Sequence, residues 1–457
     1  MIEKTIAHIE SQRERFLGRL MDLLRIPSIS TDPDRRADMR RGVEWVHQHF
    51  MECGINSEIV ETRGHPAVIA DSGPVNGAPT LLVYGHYDVQ PAGDESLWSS
   101  PPFEPAVRDG TIFARGAADD KGQILAHLFA AQSWLETAGG LPVRCKFLIE
   151  GEEEIGSPNI ESVVRDCAER LACDYVVLSD TPKFDAETPA ITYGTKGLVY
   201  KEIIVYGPKQ DLHSGQYGGT VTNPGNALAV IIASLRDAER RVTIPGFYDA
   251  VREPTAEERS RMSQLPFDEA DFRAVVGVDI LDGETGFNVT ERRWCRPTLD
   301  VNGLLSGFTG EGASTIIPAK AMAKVSMRLV PDQDFRRISA AFDDAVQNAA
   351  PPGVKIEIKN HASCAAYLCP LDSPGIKAAS MAIEAGFGNA PVFTREGGTL
   401  PILPLFKEVL GADSILIGLC HPNCNAHGPD EFFEIANFVA GMKTSAHFMH
   451  NIAVDLQ

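Results

Sequence analysis

The chain has 457 residues, 44% hydrophobic and 23% charged, a globular composition too long for one ordinary core and therefore expected to form two domains. Its 62 acidic and 42 basic residues leave a formal charge of −20, which favours solubility and argues against nucleic acid or anionic membranes as partners. No run reaches the roughly 18 apolar residues of a membrane span. The N-terminus opens on a charged amphipathic stretch instead of an apolar signal core, and nine scattered cysteines suit buried, reduced thiols, so a cytoplasmic protein is expected.

Ile2, Ile6, Ile9, Phe16, Leu20 and Leu24 recur at helical spacing, and Ile26-Pro27-Ser28 ends that pattern. A second helix is expected over 41–53, then strands at 57–61 and 67–70 and a Gly/Pro-rich turn. Next comes Leu81-Leu82-Val83-Tyr84-Gly85-His86-Tyr87-Asp88-Val89-Gln90-Pro91, a run of strand formers that ends abruptly in polar residues. A buried strand of this kind delivers its last side chains into a crevice, where His86 suits a metal ligand and Asp88 the carboxylate that orients it. By itself the pattern is more often that of a satisfied loop.

The same device recurs. A short hairpin turning at Asp109-Gly110 leads to Arg115-Gly116-Ala117-Ala118-Asp119-Asp120-Lys121-Gly122 and a helix carrying Ile124, Leu125, Leu128, Phe129 and Leu135. The two aspartates stand at the helix start, as plain N-caps or as ligands favoured by the helix dipole. The strand Val143-Arg144-Cys145-Lys146-Phe147-Leu148-Ile149 then runs into Glu150-Gly151-Glu152-Glu153-Glu154-Ile155-Gly156-Ser157. A glutamate run is ordinarily a solvated loop, but against an apolar strand it is costly unless a cation or proton is shared. A further strand, Tyr175-Val176-Val177-Leu178-Ser179, ends at Asp180.

Three strands thus end in oxygen or nitrogen donors, and the carboxyl ends of strands in an open α/β sheet share one crevice. Carboxylates with imidazole and no thiolate suit zinc, manganese or cobalt in an open catalytic site. So many carboxylates exceed the need of one metal. Two metals sharing a carboxylate would balance them, an arrangement suited to hydrolysis.

From about residue 197 the texture changes. A strand at 201–206, the loop Asp211-Leu212-His213-Ser214-Gly215-Gln216-Tyr217-Gly218-Gly219, a helix at 227–235, strands at 323–330 and 354–359 and a helix at 335–349 describe an inserted α+β domain. The stretch 236–295 is polar and poor in motifs. Near Leu371 the earlier style returns: a helix at 375–384, the loop Arg395-Glu396-Gly397-Gly398-Thr399-Leu400-Pro401, a strand at 414–419, then His421-Pro422-Asn423-Cys424-Asn425-Ala426-His427-Gly428-Pro429-Asp430-Glu431 and a last helix over 432–450. Cys420, His421, Cys424 and His427 do not have zinc-finger spacing, so His427 alone is taken as a ligand.

In this order, Gly85 to Pro91, Arg115 to Gly122, Glu150 to Ser157, Asp211 to Gly219, Met327-Arg328-Leu329-Val330-Pro331, Arg395 to Gly398 and Ala426 to Pro429 resemble the motifs of the M20 metallopeptidases, most closely their dipeptidase branch of cytosolic nonspecific dipeptidases and carnosinases. The resemblance spans nearly the whole chain. It implies an α/β, two-domain architecture: a mixed-sheet di-metal catalytic domain over 1–196 and 369–457, with an inserted α+β lid and dimerisation domain over 197–368. By the same resemblance His86 and Asp180 would hold one metal, Glu154 and His427 the other, and Asp119 would bridge them. Zinc is the first choice, with manganese or cobalt as alternatives.

The resemblance further implies that Glu153 is the general base acting on a water that bridges the metals, and that Asp88 fixes the His86 ring. His213 would reach the partner subunit's active site and help to stabilise the oxyanion, while Arg328, Thr315, Gly398 and Thr399 would hold the substrate's free carboxylate. Stretch 236–300 has no counterpart in these motifs. The expectation is a cytoplasmic homodimeric hydrolase of dipeptides or short peptides. The alternatives are a deacylase of the same family, removing acetyl, succinyl or carbamoyl groups from amino acids, and a catalytically silent member that binds an amino-acid ligand or acts as an assembly partner.

Overall fold

The computed structural model describes residues 1–454. The chain forms two compact units, the larger from Met1–Tyr193, Cys369–Thr394 and the chain from Leu405 onward, the smaller from Gly194–Leu368 and Arg395–Pro404.

The larger unit is built on a mixed sheet whose strands run in the order Asn56–Val60, Ala67–Asp71, Arg144–Glu150, Thr80–His86, Tyr175–Leu178, Asp413–Ile417 and Ala190–Thr195. The four strands from Arg144–Glu150 to Asp413–Ile417 are mutually parallel, and their neighbours on both sides pair antiparallel. Thr80–His86 and Arg144–Glu150 are buried along almost their whole length, the continuous apolar texture of parallel strands covered on both faces. The helix Lys121–Ala138 is apolar round most of its circumference and is buried accordingly, through Leu125, Leu128, Phe129 and Trp134. It packs with Ile435–Val454, which in turn packs on Pro374–Phe387.

Gly85 sets the start of that helix against the central strand. A Cβ there would lie 2.1 Å from Ile124 Cγ2 and 2.5 Å from Asp120 Oδ2, so only glycine lets the strand press this closely on the Asp119-Asp120 turn.

The smaller unit has an antiparallel four-stranded sheet in the order Thr298–Ser306, Lys320–Leu329, Gly197–Tyr206 and Lys355–Cys364. Lys320–Leu329 alternates strictly, with Ala321, Ala323, Val325, Met327 and Leu329 buried, and these face Leu228, Ile231, Ile338 and Phe342 of the helices Pro224–Ser234 and Phe335–Ala349.

Several expected elements differ. The stretch 2–24 is two helices, Ile2–Ser11 and Arg13–Leu24, and 236–295 contains three short ones, Ala256–Ser263, Glu269–Val276 and Val289–Trp294. The last helix does not begin at residue 432: Phe432–Glu434 is a strand antiparallel to Thr111–Phe113, and the helix runs over Ile435–Val454. Its register with a hairpin more than 300 residues earlier supersedes the local helical pattern. Thr298–Ser306, Val392–Glu396 and the helix Ile402–Leu410 have no counterpart in the sequence expectation.

Candidate metal centre and active site

All four parallel strands of the larger unit deliver polar residues at their carboxyl ends. Thr80–His86 ends on His86 itself. Arg144–Glu150 leads to the short turn Glu153–Ile155, Tyr175–Leu178 to Asp180, and Asp413–Ile417 to the loop holding His427. His427 and its neighbours Asn425 and Asp430 have positive φ, so this loop turns sharply. The Asp119-Asp120 peptide is cis.

Single donor atoms of His86, Asp119 and Asp180 lie within 4.8 Å of one another, and so do those of Asp119, Glu154 and His427. Asp119 belongs to both groups. Its Oδ1 is 3.1 Å from His86 Nε2 and its Oδ2 is 2.9 Å from His427 Nε2, so its two oxygens face opposite sides. His427 Nε2 is also 3.2 Å from Glu154 Oε2, whose carboxylate accepts a hydrogen bond from Gln90 Nε2 at 2.8 Å. Cys420 and Cys424 join neither group among the described residues.

The surroundings orient these donors. His86 Nδ1 donates to the Asp88 carbonyl at 3.1 Å and lies 3.4 Å from Asp88 Oδ1, which leaves Nε2 of the neutral ring as the free ligand atom. The Asp88 carboxylate accepts from Glu153 N at 3.3 Å and Glu154 N at 3.1 Å, and so ties the end of the His86 strand to the glutamate turn.

The electrostatics are those of a cluster with too much negative charge. Burial, with Asp119 beside it, drives Asp180 well above the usual carboxylate range, and burial does the same to Asp120. Burial pushes Glu153 up to about 7, with Asp119, Glu154 and Asp88 adding to the effect against His86. Despite its own burial, His86 is raised well above its ordinary value by the Asp119 and Asp88 carboxylates, and Asp119 and Glu154 raise His427 to about 10. Divalent cations held by these donors would relieve that excess of negative charge. His86 Nε2, though close to Asp119, has no hydrogen-bond partner among the described residues, nor does buried Asp120 Oδ1. A donor set of two imidazoles and three carboxylates, one of them shared, fits two metal ions.

The smaller unit holds the other expected residues. Arg328 Nη1 donates to Thr399 Oγ1 at 2.6 Å, Thr399 Oγ1 donates to Lys196 O at 2.7 Å, and Lys196 N donates to Gly398 O at 3.0 Å. Arg328 forms no ion pair among the described residues, so its guanidinium fork remains available. Thr315 is held against the His213 turn, its carbonyl accepting from Ser214 N at 3.0 Å, and makes no hydrogen bond with Arg328 among the described residues. His213 is exposed, and Gly215 N donates to its Nδ1 at 3.0 Å, which places the ring proton on Nε2 as a free donor.

The family model described as peptidase family M20/M25/M40 matches residues 82–451, which contain every residue of the two donor groups. The chain belongs to peptidase family M20/M25/M40. This M20 chain is 31% identical to a Cys-Gly metallodipeptidase of Schizosaccharomyces pombe, over 99% of the chain and 98% of that protein. It is 29% identical to the human Beta-Ala-His dipeptidase over 99% and 93%. Its fold superposes on an M20 family metallo-carboxypeptidase from Sulfolobus solfataricus with a TM-score of 0.86 at 33% identity, covering 96% of this chain and 99% of that one.

One residue of the M20 site lies outside the sequence expectation. Glu431 is fully buried and accepts four hydrogen bonds: from Arg115 Nη1 at 2.6 Å and Gly116 N at 3.0 Å on Oε2, and from Ala118 N at 2.9 Å and Asp119 N at 3.0 Å on Oε1. It binds the loop that carries Asp119 to the loop that carries His427. In sequence it is one acid at the end of a polar loop, next to Asp430, which is partly exposed and caps Ser99. Nothing local separates the two.

Proposed function

We propose that this protein hydrolyses the amide bond of dipeptides or short peptides that carry a free carboxylate, using two divalent metals held by His86, Asp119 and Asp180 and by Asp119, Glu154 and His427. The observation that supports this most is Asp119, one carboxylate with an oxygen toward each donor group. Bound divalent ions would polarise the amide carbonyl and activate water at neutral pH. Glu153, in neither donor group, takes the proton from the attacking water and returns it to the leaving amine. Asp88 keeps His86 and the Glu153-Glu154 turn in mutual position, its carbonyl accepting from the His86 ring and its carboxylate from Glu153 N and Glu154 N. His213 reaches the partner subunit's active site and supplies its Nε2–H to the oxyanion developing there, and Arg328, with Thr315, Gly398 and Thr399, receives the substrate carboxylate. The names of the relatives, dipeptidases on one hand and a carboxypeptidase on the other, support peptide substrates.

The deciding experiment is amine release, followed by mass spectrometry, from a panel of dipeptides, tripeptides and N-acyl amino acids with zinc or manganese restored after chelation. Cleavage concentrated on peptides is expected. Cleavage confined to an N-acyl amino acid would move the protein to the deacylases. Zinc is the proposed metal on its donor types, and metal analysis of protein purified without chelator checks it. In the same assay Arg328→Ala is expected to raise KM about 10–100-fold with a smaller change in kcat, the value of a charged hydrogen bond to the carboxylate. An unchanged KM would remove Arg328 from that role.

The homodimer belongs to this proposal. Thr298–Ser306 is the edge strand of the smaller unit's sheet, and Val301, Leu304, Leu305 and, just beyond it, Phe308 stand exposed. An open apolar edge is a template for a second copy. Sedimentation should show a dimer that Leu304→Lys converts to monomer; a monomeric parent protein would refute it. The nine cysteines are all free thiols and no helix among the described residues is long and apolar enough to cross a membrane, which supports a reducing, cytoplasmic setting.

A further inference from the structure

The polar stretch that no motif explains closes a cavity within the smaller unit. The cavity has a volume of about 220 Å³ and is lined by six cationic side chains, Lys196, Arg236, Arg240, Arg292, Arg293 and Arg296, against three carboxylates. Such a concentration is unexpected in a chain with 62 acids and 42 bases. The carboxylates are mostly engaged already. Glu284 is paired with Arg296 at 2.7 Å and Arg241 at 2.9 Å, and Asp282 with Arg240 at 2.8 Å. Of the lining carboxylates only Asp300, which is exposed, is left to face Lys196, while Arg293 lies near Glu396 and Arg236 near Asp282; Arg236 and Arg293 are exposed, and none of Lys196, Arg236, Arg292 and Arg293 forms an ion pair among the described residues.

Lys196 is the informative member. Its side chain is 3% exposed, and its ammonium has one hydrogen-bond partner, the Arg292 carbonyl at 3.2 Å, for three N–H donors. Burial lowers it to about 8, with Arg328 and Arg293 adding positive charge and Cys295 and Asp300 opposing. A buried ammonium whose nearest lining carboxylate is the exposed Asp300, in a cavity shared with three guanidinium groups that form no ion pair, is short of counter-charge, and an anion in the cavity would supply it.

We propose that this cavity is a binding site for a compact oxyanion carrying at least one full negative charge, of the sulfate, phosphate or carboxylate class, held by Lys196, Arg292 and Arg293 with Arg236 at its rim. Bidentate guanidinium donors and a buried ammonium are the chemistry that recognises such groups. The volume of about 220 Å³ is ample for a small anion. The cavity stands at the same end of the sheet as Arg328, whose register partners are Thr298 and Leu198, yet Arg328 is not among its lining residues.

The oxyanion has two sources, a free anion or the acidic side chain of a peptide, and the second rests on the proposed peptidase activity. Equilibrium dialysis of the full metal-loaded protein with radiolabelled sulfate, at ionic strength fixed with potassium chloride, tests the site independently of any activity. One sulfate per chain is expected, with affinity reduced at least about tenfold in Arg293→Ala and in Lys196→Met; Arg236→Ala, an exposed change that leaves the fold alone, should weaken it in the same direction. Sulfate bound no better than chloride, or bound equally by all three variants, would overturn the proposal. Given sulfate binding, a lower KM for glutamyl than for glutaminyl C-terminal dipeptides, erased by Arg293→Ala, assigns the side-chain source, and equal KM values assign the free anion. If the protein cleaves no peptide, the dialysis result still stands or falls by itself.

Discussion

Glu153→Ala is expected to lower kcat by about 10²–10⁴-fold, the usual contribution of a positioned general base, while the protein keeps its full complement of metal. The two parts of that result have separate origins. Metal retention is expected because Glu153 belongs to neither donor group, whereas its neighbour Glu154 belongs to one. The rate loss is expected because Glu153 lies in the short turn Glu153–Ile155, pinned by its backbone to Asp88, with its carboxyl in surroundings that burial and adjacent carboxylates make reluctant to ionise. A carboxyl so placed binds a proton readily, as a group that must accept one and pass it on should. Kinetics on the best dipeptide, paired with metal analysis of the same preparation, check both parts. Lost metal with unchanged residual activity would transfer Glu153 from base to ligand.

Glu431→Gln is the second large effect, and it acts at a distance from the substrate. The variant keeps the size of the side chain but removes the charge opposite Arg115, whose side chain is 1% exposed and whose Nη1 lies 2.6 Å from Glu431 Oε2. An uncompensated buried charge costs about 3–5 kcal/mol. The carboxamide also replaces one acceptor oxygen by a donor that faces backbone N–H groups, so the loop from Gly116 to Asp119 loses part of its anchor. Because that loop positions the shared ligand, metal affinity should fall about 10–100-fold, the usual penalty for loss of a group that orients a ligand. Urea unfolding of the metal-free protein reads the first effect, and competition with a chelator reads the second. Arg115→Met with Glu431→Gln removes the stranded charge and should recover much of the stability without recovering metal affinity. If the double variant recovers both, Glu431 serves only the ion pair and has no part in placing Asp119.

The two effects show how differently the site was readable. Glu153 stands in a glutamate run that closes an apolar strand, a conflict visible in seven consecutive letters. Glu431 is one acid in a polar loop, and its importance lies in donors 312 to 316 positions away. The same division holds among the elements. Thr80–His86, Arg144–Glu150 and Tyr175–Leu178 are visible because buried parallel strands are apolar throughout. Thr298–Ser306 is not, because only Leu299 of that strand is buried and its identity as a strand comes from pairing with Lys320–Leu329. Phe432–Glu434 reads as the start of a helix until its partner Thr111–Phe113 is beside it.

Local runs of residues already carry the available chemistry: strands that end in imidazole and carboxylate, no thiolate among the chosen donors, an acidic chain with scattered cysteines. These are properties of short windows, where hydrophobic runs and the polar residues that interrupt them follow from the identity of adjacent residues. Folding is what turns one oxygen of Asp119 to His86 and the other to His427, lets the Asp88 carboxylate grip the backbone of the glutamate turn, buries Glu431 against four donors, and brings basic residues of the unassigned stretch around buried Lys196. Each of these depends on groups far apart in the chain being brought within a few ångströms, and the position of one side chain relative to another at that scale is set by the packing of whole strands and helices between them.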